Sequence, residues 1–380
     1  MNRKKPIYKE GKEVKKTLKN LLTVILIIAC AMNLFACGGS ATNKAEVSNV
    51  ATKKGGEVKI LNFGDYMAEE AIAIFEEETG IKVIQDLFEA NEEVIPVIES
   101  GTKYDVICIS DYCIERMLAK NLLQPIDMTK IPNLVNINKE KLNTLSVCDP
   151  GNKYAVPYFC GSMGIFFNKT KLDSMGVAYP RKWSDLFNPA LKGELLMQSS
   201  VRDLYTVALR KNGFSVNSTN EEELNKCTED FIAQKPYVQG YMTDQIKEKM
   251  LSGEAAIAPL TSGDVQYVYI EGGQDDYCFV IPEEGTQLFI DAWCIPKNAE
   301  NLEAAHMFID YMCREDIAKL NAEYVGYESV NDKTPDADFL FMRQKPGAYV
   351  DYSNGNNELE RDVADAIKYY TDGYNRIRSS

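Results

Sequence analysis

The chain predicts an α/β fold, a largely parallel sheet with helices on both faces, with enough length for two such domains. Three observations carry this. Short β-branched runs alternate with helical stretches from residue 57 onward. The 380 residues leave about two domains of chain once an apolar leader is set aside. A share of 45% hydrophobic against 26% charged residues is that of a globular protein.

The leader comes first. Arg3, Lys4, Lys5, Lys9, Lys12, Lys15, Lys16 and Lys19 precede an apolar run at 21–36, and small residues follow. A positive flank, a short apolar core and a small residue before the cut make an export signal over 1–36. The run is short for a full span, which needs ~20 apolar residues. Leu34-Phe35-Ala36-Cys37 resembles a lipobox, with Phe35 bulkier than usual there. That resemblance implies lipid on Cys37 and a chain held at the extracytoplasmic side of the cell membrane. A plain transmembrane anchor or an ordinary secretion signal stays open. Residues 37–56, small and polar without periodicity, read as a flexible tether.

From residue 57 the pattern becomes structural. Residues 58–63 read as a strand and 68–79 as a helix, with Ile72 and Phe75 on one face and a stop at Gly80. Residues 81–84 are a second strand, 91–100 a helix despite Pro96, 104–109 a third strand and 114–120 a third helix. A second block opens with strands at 155–158, 164–167 and 195–197. Helices follow at 201–212, 221–234 and 243–252, then strands at 255–259, 276–280 and 288–296. The remainder is mostly helical, apart from the Asn/Gly/Asp-rich 351–357.

Composition excludes several classes of chemistry. The formal charge is -14, and because the leader is basic the rest of the chain is near -20. Such a chain repels nucleic acid and attracts cations, and the same charge also fits a solvated acidic surface that keeps a secreted protein soluble; by itself it favours neither. His306 is the one histidine, so a multi-histidine zinc site is impossible and Ser-His-Asp or Cys-His catalysis would have to pass through that residue. It sits on a helical stripe with Ala304, Phe308, Ile309 and Met312, where a structural role is expected. Eight cysteines lie beyond the leader without a Cys-x-x-Cys, several inside strand-like runs, and read as small buried apolar residues. No metal or cofactor is expected.

An ordered set of phrases carries a resemblance. They are Glu78-Thr79-Gly80-Ile81-Lys82-Val83, Tyr104-Asp105-Val106, Tyr154-Ala155-Val156-Pro157-Tyr158, Gly164-Ile165-Phe166-Phe167-Asn168 and Trp183-Ser184-Asp185-Leu186-Phe187-Asn188-Pro189. Ala292-Trp293-Cys294-Ile295-Pro296-Lys297-Asn298-Ala299 and Gly326-Tyr327 complete it. Across residues 57–378 the chain resembles the spermidine/putrescine-binding proteins of ABC transporters. The resemblance implies a two-lobed periplasmic-binding-protein-like fold with ligand in a hinged cleft. One lobe would be 57–157 plus 290–325 and the other 158–289 plus 326–380. It also implies a monomer that is not an enzyme, with an ABC permease and its ATPase as partners.

A polyamine needs carboxylates where its ammonium groups sit and apolar or aromatic walls between them. By the resemblance Phe63, Asp65 and Tyr66 after the first strand, and Ser110 and Tyr112 after the third, face the ligand. Asp203 matches a family carboxylate, and Asp264 an aspartate of the putrescine-selective branch. Phe289 and Asp291 form the aromatic-x-Asp pattern, Tyr327 lines the site, and Glu360 stands where a polar residue approaches the ligand. Asp291, flanked by Ile290 and Ala292, is hard to explain without a cationic partner. The chain departs from the family at Thr261, where tryptophan is expected, and at Ser200, where the spermidine-preferring branch has aspartate. Phe63 and Phe289 stand where tryptophan is common. Singly, several of these residues have plainer roles: Asp65 or Ser110 as a helix cap, Asp203 as a first-turn acid, Tyr327 as core. A receptor for another solute (thiamine, ferric iron or a sugar) and a secreted glycosidase working through paired carboxylates both stay open.

Overall fold

A computed structural model describes residues 56–272, 276–334 and 355–380. The export signal, Cys37 and all of the 37–56 tether except Gly56 lie outside the described residues, as do residues 351–354 of the Asn/Gly/Asp-rich stretch.

The strands are β1 (Glu57–Phe63), β2 (Lys82–Phe88), β3 (Val106–Ser110), β4 (Leu123–Gln124), β5 (Ala155–Asn168) and β6 (Leu195–Gln198). They continue as β7 (Val238–Met242), β8 (Ile257–Thr261), β9 (Tyr277–Val280), β10 (Gln287–Pro296), β11 (Glu328–Ser329) and β12 (Glu358–Leu359). Helices α1 (Glu69–Thr79), α2 (Asn91–Glu99), α3 (Asp111–Ala119), α4 (Lys139–Leu145), α5 (Lys169–Met175) and α6 (Val201–Lys211) lie in the first half. The second half has α7 (Glu221–Gln234), α8 (Gln245–Leu251), α9 (Ser262–Gly272), α10 (Leu302–Met312), α11 (Glu315–Val325) and α12 (Ile367–Ser379).

The strands run in the order β2-β1-β3-β10-β5-β8-β6-β7. Those that alternate with helices are parallel: β1 with β2 and β3, and β6 with β7 and β8. The inner strands break that order, because β10 runs antiparallel to β3 and β5, and β5 runs antiparallel to β8. A returning strand needs no crossover helix, so it enters between the two parallel groups. The fold is thus two-lobed α/β, with one sheet in each lobe and β5 common to both.

Two strands expected at 155–158 and 164–167 are one. Ala155 to Ser162 pair with β10 apart from Tyr158 at a register shift, and Met163 to Phe167 pair with β8. Every residue of β5 except Asn168 is buried. Glycine permits the passage. A Cβ on Gly161 would stand 2.5 Å from the Phe289 ring, and one on Gly164 would stand 2.5 Å from the Phe279 ring and 2.6 Å from the Val280 carbonyl. Helices α4 and α5 and the strand β7 have no counterpart in the sequence expectations, because their apolar periodicity is too brief to register.

Apolar faces gather accordingly. Val58, Ile60, Phe75, Val106, Ile107, Trp293 and Phe308 belong to the core of the first lobe. Trp183, Tyr205, Phe231, Leu195 and Tyr370 belong to that of the second, with a smaller cluster around Phe166, Tyr269 and Phe279. Cys108, Cys113, Cys148, Cys227, Cys294 and Cys313 are buried thiols. His306 is structural: its Nε2 accepts the Asp127 amide at 3.0 Å and its Nδ1 meets the Leu302 carbonyl at 2.6 Å. The imidazole is therefore neutral, with its proton on Nδ1.

The C-terminal helix α12 packs on α6 and α7 at Gly373, where a Cβ would collide with the Tyr205 hydroxyl and the Thr228 hydroxyl. Those two hydroxyls are themselves hydrogen-bonded at 2.6 Å, so neither can simply turn away. Gly373→Ala is expected to destabilise the fold by about 1–3 kcal/mol through overpacking, read as a lower urea midpoint. An unchanged midpoint would mean that the helix shifts without resistance.

Candidate functional site

The site begins where strands end. Ser110 closes β3 and occupies the N-cap position of α3, yet its side chain makes no capping bond. Its hydroxyl is used elsewhere. Ser110 Oγ donates to Asp291 Oδ1 at 2.5 Å and accepts from Asn91 Nδ2 at 2.9 Å, while Asn91 Oδ1 takes the Ser110 amide at 3.1 Å. Asp291 is the cross-strand partner of Ser110 on β10. The β10–β5 register shifts between Asp291 and Ala292. The second carboxylate oxygen accepts a short hydrogen bond from the Tyr66 hydroxyl. Asp291 is 4% exposed. Burial pushes its carboxyl up to about 6, and the Ser110 and Tyr66 bonds pull the other way.

Aromatic rings surround this carboxylate. Tyr66 meets Phe63, Phe159 and Tyr327 at centroid separations of 5.3, 5.5 and 5.7 Å, all edge-on. Phe289 meets Tyr327 at 5.6 Å and 82°. Gly263 lets Tyr327 in, since a Cβ there would lie 2.6 Å from the ring. Tyr327, expected either to line the site or to sit in the core, is part of this aromatic enclosure.

A second group of carboxyls faces the first. Asp203, in the first turn of α6, accepts from Gln287 Nε2, whose own carbonyl takes the Thr206 hydroxyl. Glu360 is 5% exposed and lies 3.4 Å from the Arg202 guanidinium, and its Oε1 has no hydrogen bond of good geometry. Burial pushes Glu360 up to about 7; Arg202 pulls it down, and the charges of Asp203, Glu92 and Asp291 push it further up. Burial likewise raises the Asp203 carboxyl, against hydrogen bonds from Gln287 and Ser200. Asp111 is fully buried and accepts the amides of Tyr112 at 2.7 Å and Ile290 at 3.2 Å. Burial and then Glu360 hold its carboxyl well above the usual range. Tyr112 lies under the Arg202 guanidinium at 5.5 Å and donates to Glu92 at 3.1 Å.

Two expected residues stand apart from this centre. Asp65 is exposed, with a left-handed φ of 51°. Asp264 accepts from Thr261 Oγ1 at 2.8 Å and pairs with Lys247 Nζ at 3.1 Å. Thr261 in turn accepts the Tyr327 hydroxyl at 2.8 Å, which links Asp264 to the aromatic wall. Phe159, Asn91, Asp111, Arg202, Lys247 and Gln287 belong to the network and were not singled out from the sequence. Arg202 stood beside Asp203 in the same helical turn and was the readable one.

The balance of charge is the chemical content. Asp111, Asp291 and Glu360 are buried and Asp203 is half-buried, with Arg202 against Glu360. Arg361 is near Asp111, but it is already committed to Glu115 through a two-nitrogen bond. Buried carboxylates in such numbers stay neutral or take a cation from outside. Among the described residues no group of three or more His, Cys, Asp or Glu is arranged to hold a metal ion.

Comparison with known proteins agrees in kind. Residues 101–342 match the family model described as bacterial extracellular solute-binding protein. The chain is 30% identical to the spermidine/putrescine-binding periplasmic protein of Escherichia coli over 84% of this chain and 90% of the relative. It is 28% identical to a putrescine-binding periplasmic protein of the same organism, covering 76% and 82% of the two chains. A solved structure titled as a putative spermidine/putrescine ABC transporter from Listeria monocytogenes superposes with a TM-score of 0.77 at 33% identity, over 85% of this chain and 99% of that one. A lipoprotein of Treponema pallidum superposes with a TM-score of 0.76 at 26% identity, over 85% and 100%. The chain belongs to the bacterial extracellular solute-binding proteins.

The raised carboxyls have a stability consequence with a definite sign. Asp291 and Glu360 titrate near 4 when unfolded and at about 6 and about 7 when folded. The folded state binds more protons between those limits, so their contribution to stability is lost as pH rises from about 4 to 7. Asp291→Asn removes one of these groups. Without ligand, the variant is expected to gain stability relative to the unmodified protein between pH 5 and pH 7.5, by thermal melting. A constant difference across that range would show that Asp291 is ionised throughout.

Proposed function

We propose that the chain is the solute-binding protein of an ABC importer and takes a polyamine, putrescine and/or spermidine, between its lobes. The observation that carries this is the gathering of Asp203, Asp291 and Glu360 among Phe63, Tyr66, Phe289 and Tyr327. A polyamine supplies ammonium groups to the carboxylates and methylenes to the rings. Each aromatic face adds ~0.5–2 kcal/mol of cation attraction, and desolvation strengthens every ammonium–carboxylate contact. The names of the relatives in Escherichia coli and Listeria monocytogenes support the same ligand class.

In this reading Asp291 holds one ammonium, with Tyr66 and Ser110 orienting the carboxylate. Asp203 and Glu360 hold the other, and Tyr112 keeps Arg202 in place beneath them. The lobes are 57–157 plus 290–325 and 158–289 plus 326–380, closing about the crossing strands. Lipid on Cys37 holds a monomer at the outer face of the membrane, beside the permease and its ATPase, and the protein itself catalyses nothing.

Calorimetry with putrescine, spermidine, spermine and cadaverine tests the ligand. Saturable binding of at least one is expected, and absence of binding to all four removes the proposal. Asp291→Asn is expected to weaken binding more than tenfold, as loss of a charge-assisted bond of ~1.5–3 kcal/mol requires. Affinity should also fall below pH 6, by roughly tenfold per pH unit for each carboxyl that must ionise. Protons are then released on binding at pH 6–7, so the measured heat depends on the buffer. Heats identical in phosphate and Tris would contradict that linkage.

A further inference from the structure

Lys247 is, besides Arg202, a second protein cation in a site region read as that of a cation receptor. It lies on α8, and its ammonium meets Asp264 Oδ1 at 3.1 Å. Both side chains are about three-quarters covered. The ammonium also stands 5.6 Å from the centre of the Tyr267 ring. Burial works against the Lys247 charge, but Asp264, then Asp244 and Asp65, outweigh it and keep the amine protonated. The other oxygen of Asp264 is taken by Thr261, which accepts from Tyr327. Tyr327 packs edge-on against Tyr66, whose hydroxyl is bonded to Asp291, so the Lys247–Asp264 pair is linked to the centre through Thr261 and Tyr327.

We propose that Lys247 is a specificity-determining residue, a fixed protein cation that takes the Asp264 carboxylate in place of a ligand ammonium. The inference rests on the reading of the site as a polyamine pocket. A ligand ammonium beside Asp264 would stand against the Lys247 charge, and each oxygen of that carboxylate already accepts one hydrogen bond. The pocket then serves two ammonium groups, one at Asp291 and one at Asp203 with Glu360. A third ammonium has nowhere paired to go, and an unpaired buried charge is strongly unfavourable. Rejection by an unpaired group is a general route to selectivity. The same arrangement accounts for Thr261. A bulky aromatic there would lose the hydroxyl that ties Asp264 to Tyr327.

The test is the ratio of spermidine to putrescine affinity, measured by calorimetry on the whole protein and on Lys247→Gln. Freeing Asp264 for a ligand ammonium adds one charge-assisted contact, so the ratio is expected to rise about tenfold or more. Lys247→Met, which keeps the aliphatic stem, should move it in the same direction if Gln disturbs the fold. Lys247→Arg keeps the cation and should leave the ratio where it was. If the unmodified protein binds polyamines and neither neutral variant changes the ratio, the inference is overturned while the polyamine reading stands. A rise in both affinities by the same factor also overturns it, because Lys247 would then act only through net charge. Failure of the unmodified protein to bind any polyamine removes the polyamine reading and this inference with it.

Discussion

Everything at the centre of this molecule is arranged around a carboxylate that water does not reach. Asp291 sits in the middle of β10, with β3 on one side and β5 on the other. A charge in that position disfavours folding unless something answers it. Tyr66 and Ser110 answer part of it with hydroxyls, and Asn91 fixes Ser110 in turn. The rings that enclose the carboxylate then have to be admitted at close range, which Gly161 allows for Phe289 and Gly263 for Tyr327. Local departures from ordinary strand and helix rules, such as the N-cap serine that does not cap, follow from serving this one group.

The second half of the site obeys the same constraint less completely. Glu360 faces Arg202 without a well-formed hydrogen bond, and Asp203 has amide and hydroxyl donors but, among the described residues, no cation paired with it. Hydrogen bonds to neutral donors lower the penalty of a buried charge but do not cancel it. The protein therefore holds carboxyls that its own donors balance incompletely. Such a site is destabilising when empty, and any ligand bound there stabilises the fold with the logarithm of its concentration over its dissociation constant.

Much of this was legible in residue order, and the reasons are physical. The alternation of helix and strand up to Lys120 is periodic and strongly apolar, so the parallel part of the first sheet could be read directly. Asp291 could be singled out because a charged residue between Ile290 and Ala292 contradicts its surroundings. The antiparallel course of β5 and β10 could not be read. Strand direction depends on which distant segments pair, and sequence periodicity carries only spacing. The continuity of β5 across Gly161 and Gly164 was hidden for a related reason, since glycine marks both a break and a close approach. Lys247 escaped notice because nothing in its own helix distinguishes it from a solvated lysine. Only the fold brings it to Asp264. Asp111 was passed over beside the more conspicuous Ser110 and Tyr112.

The place of β10 in the strand order has a further consequence, for the order of events as the chain is made. The first sheet reads β2-β1-β3-β10-β5 along its main path, so β10 is flanked on both sides by strands synthesised long before it. Until Gln287–Pro296 emerges, β3 and the first half of β5 have no partner between them, and their apolar faces wait. The N-terminal half of the chain cannot mature as an autonomous unit while the rest is still being delivered. The sheet of the first lobe can be completed only once about three-quarters of the polypeptide exists.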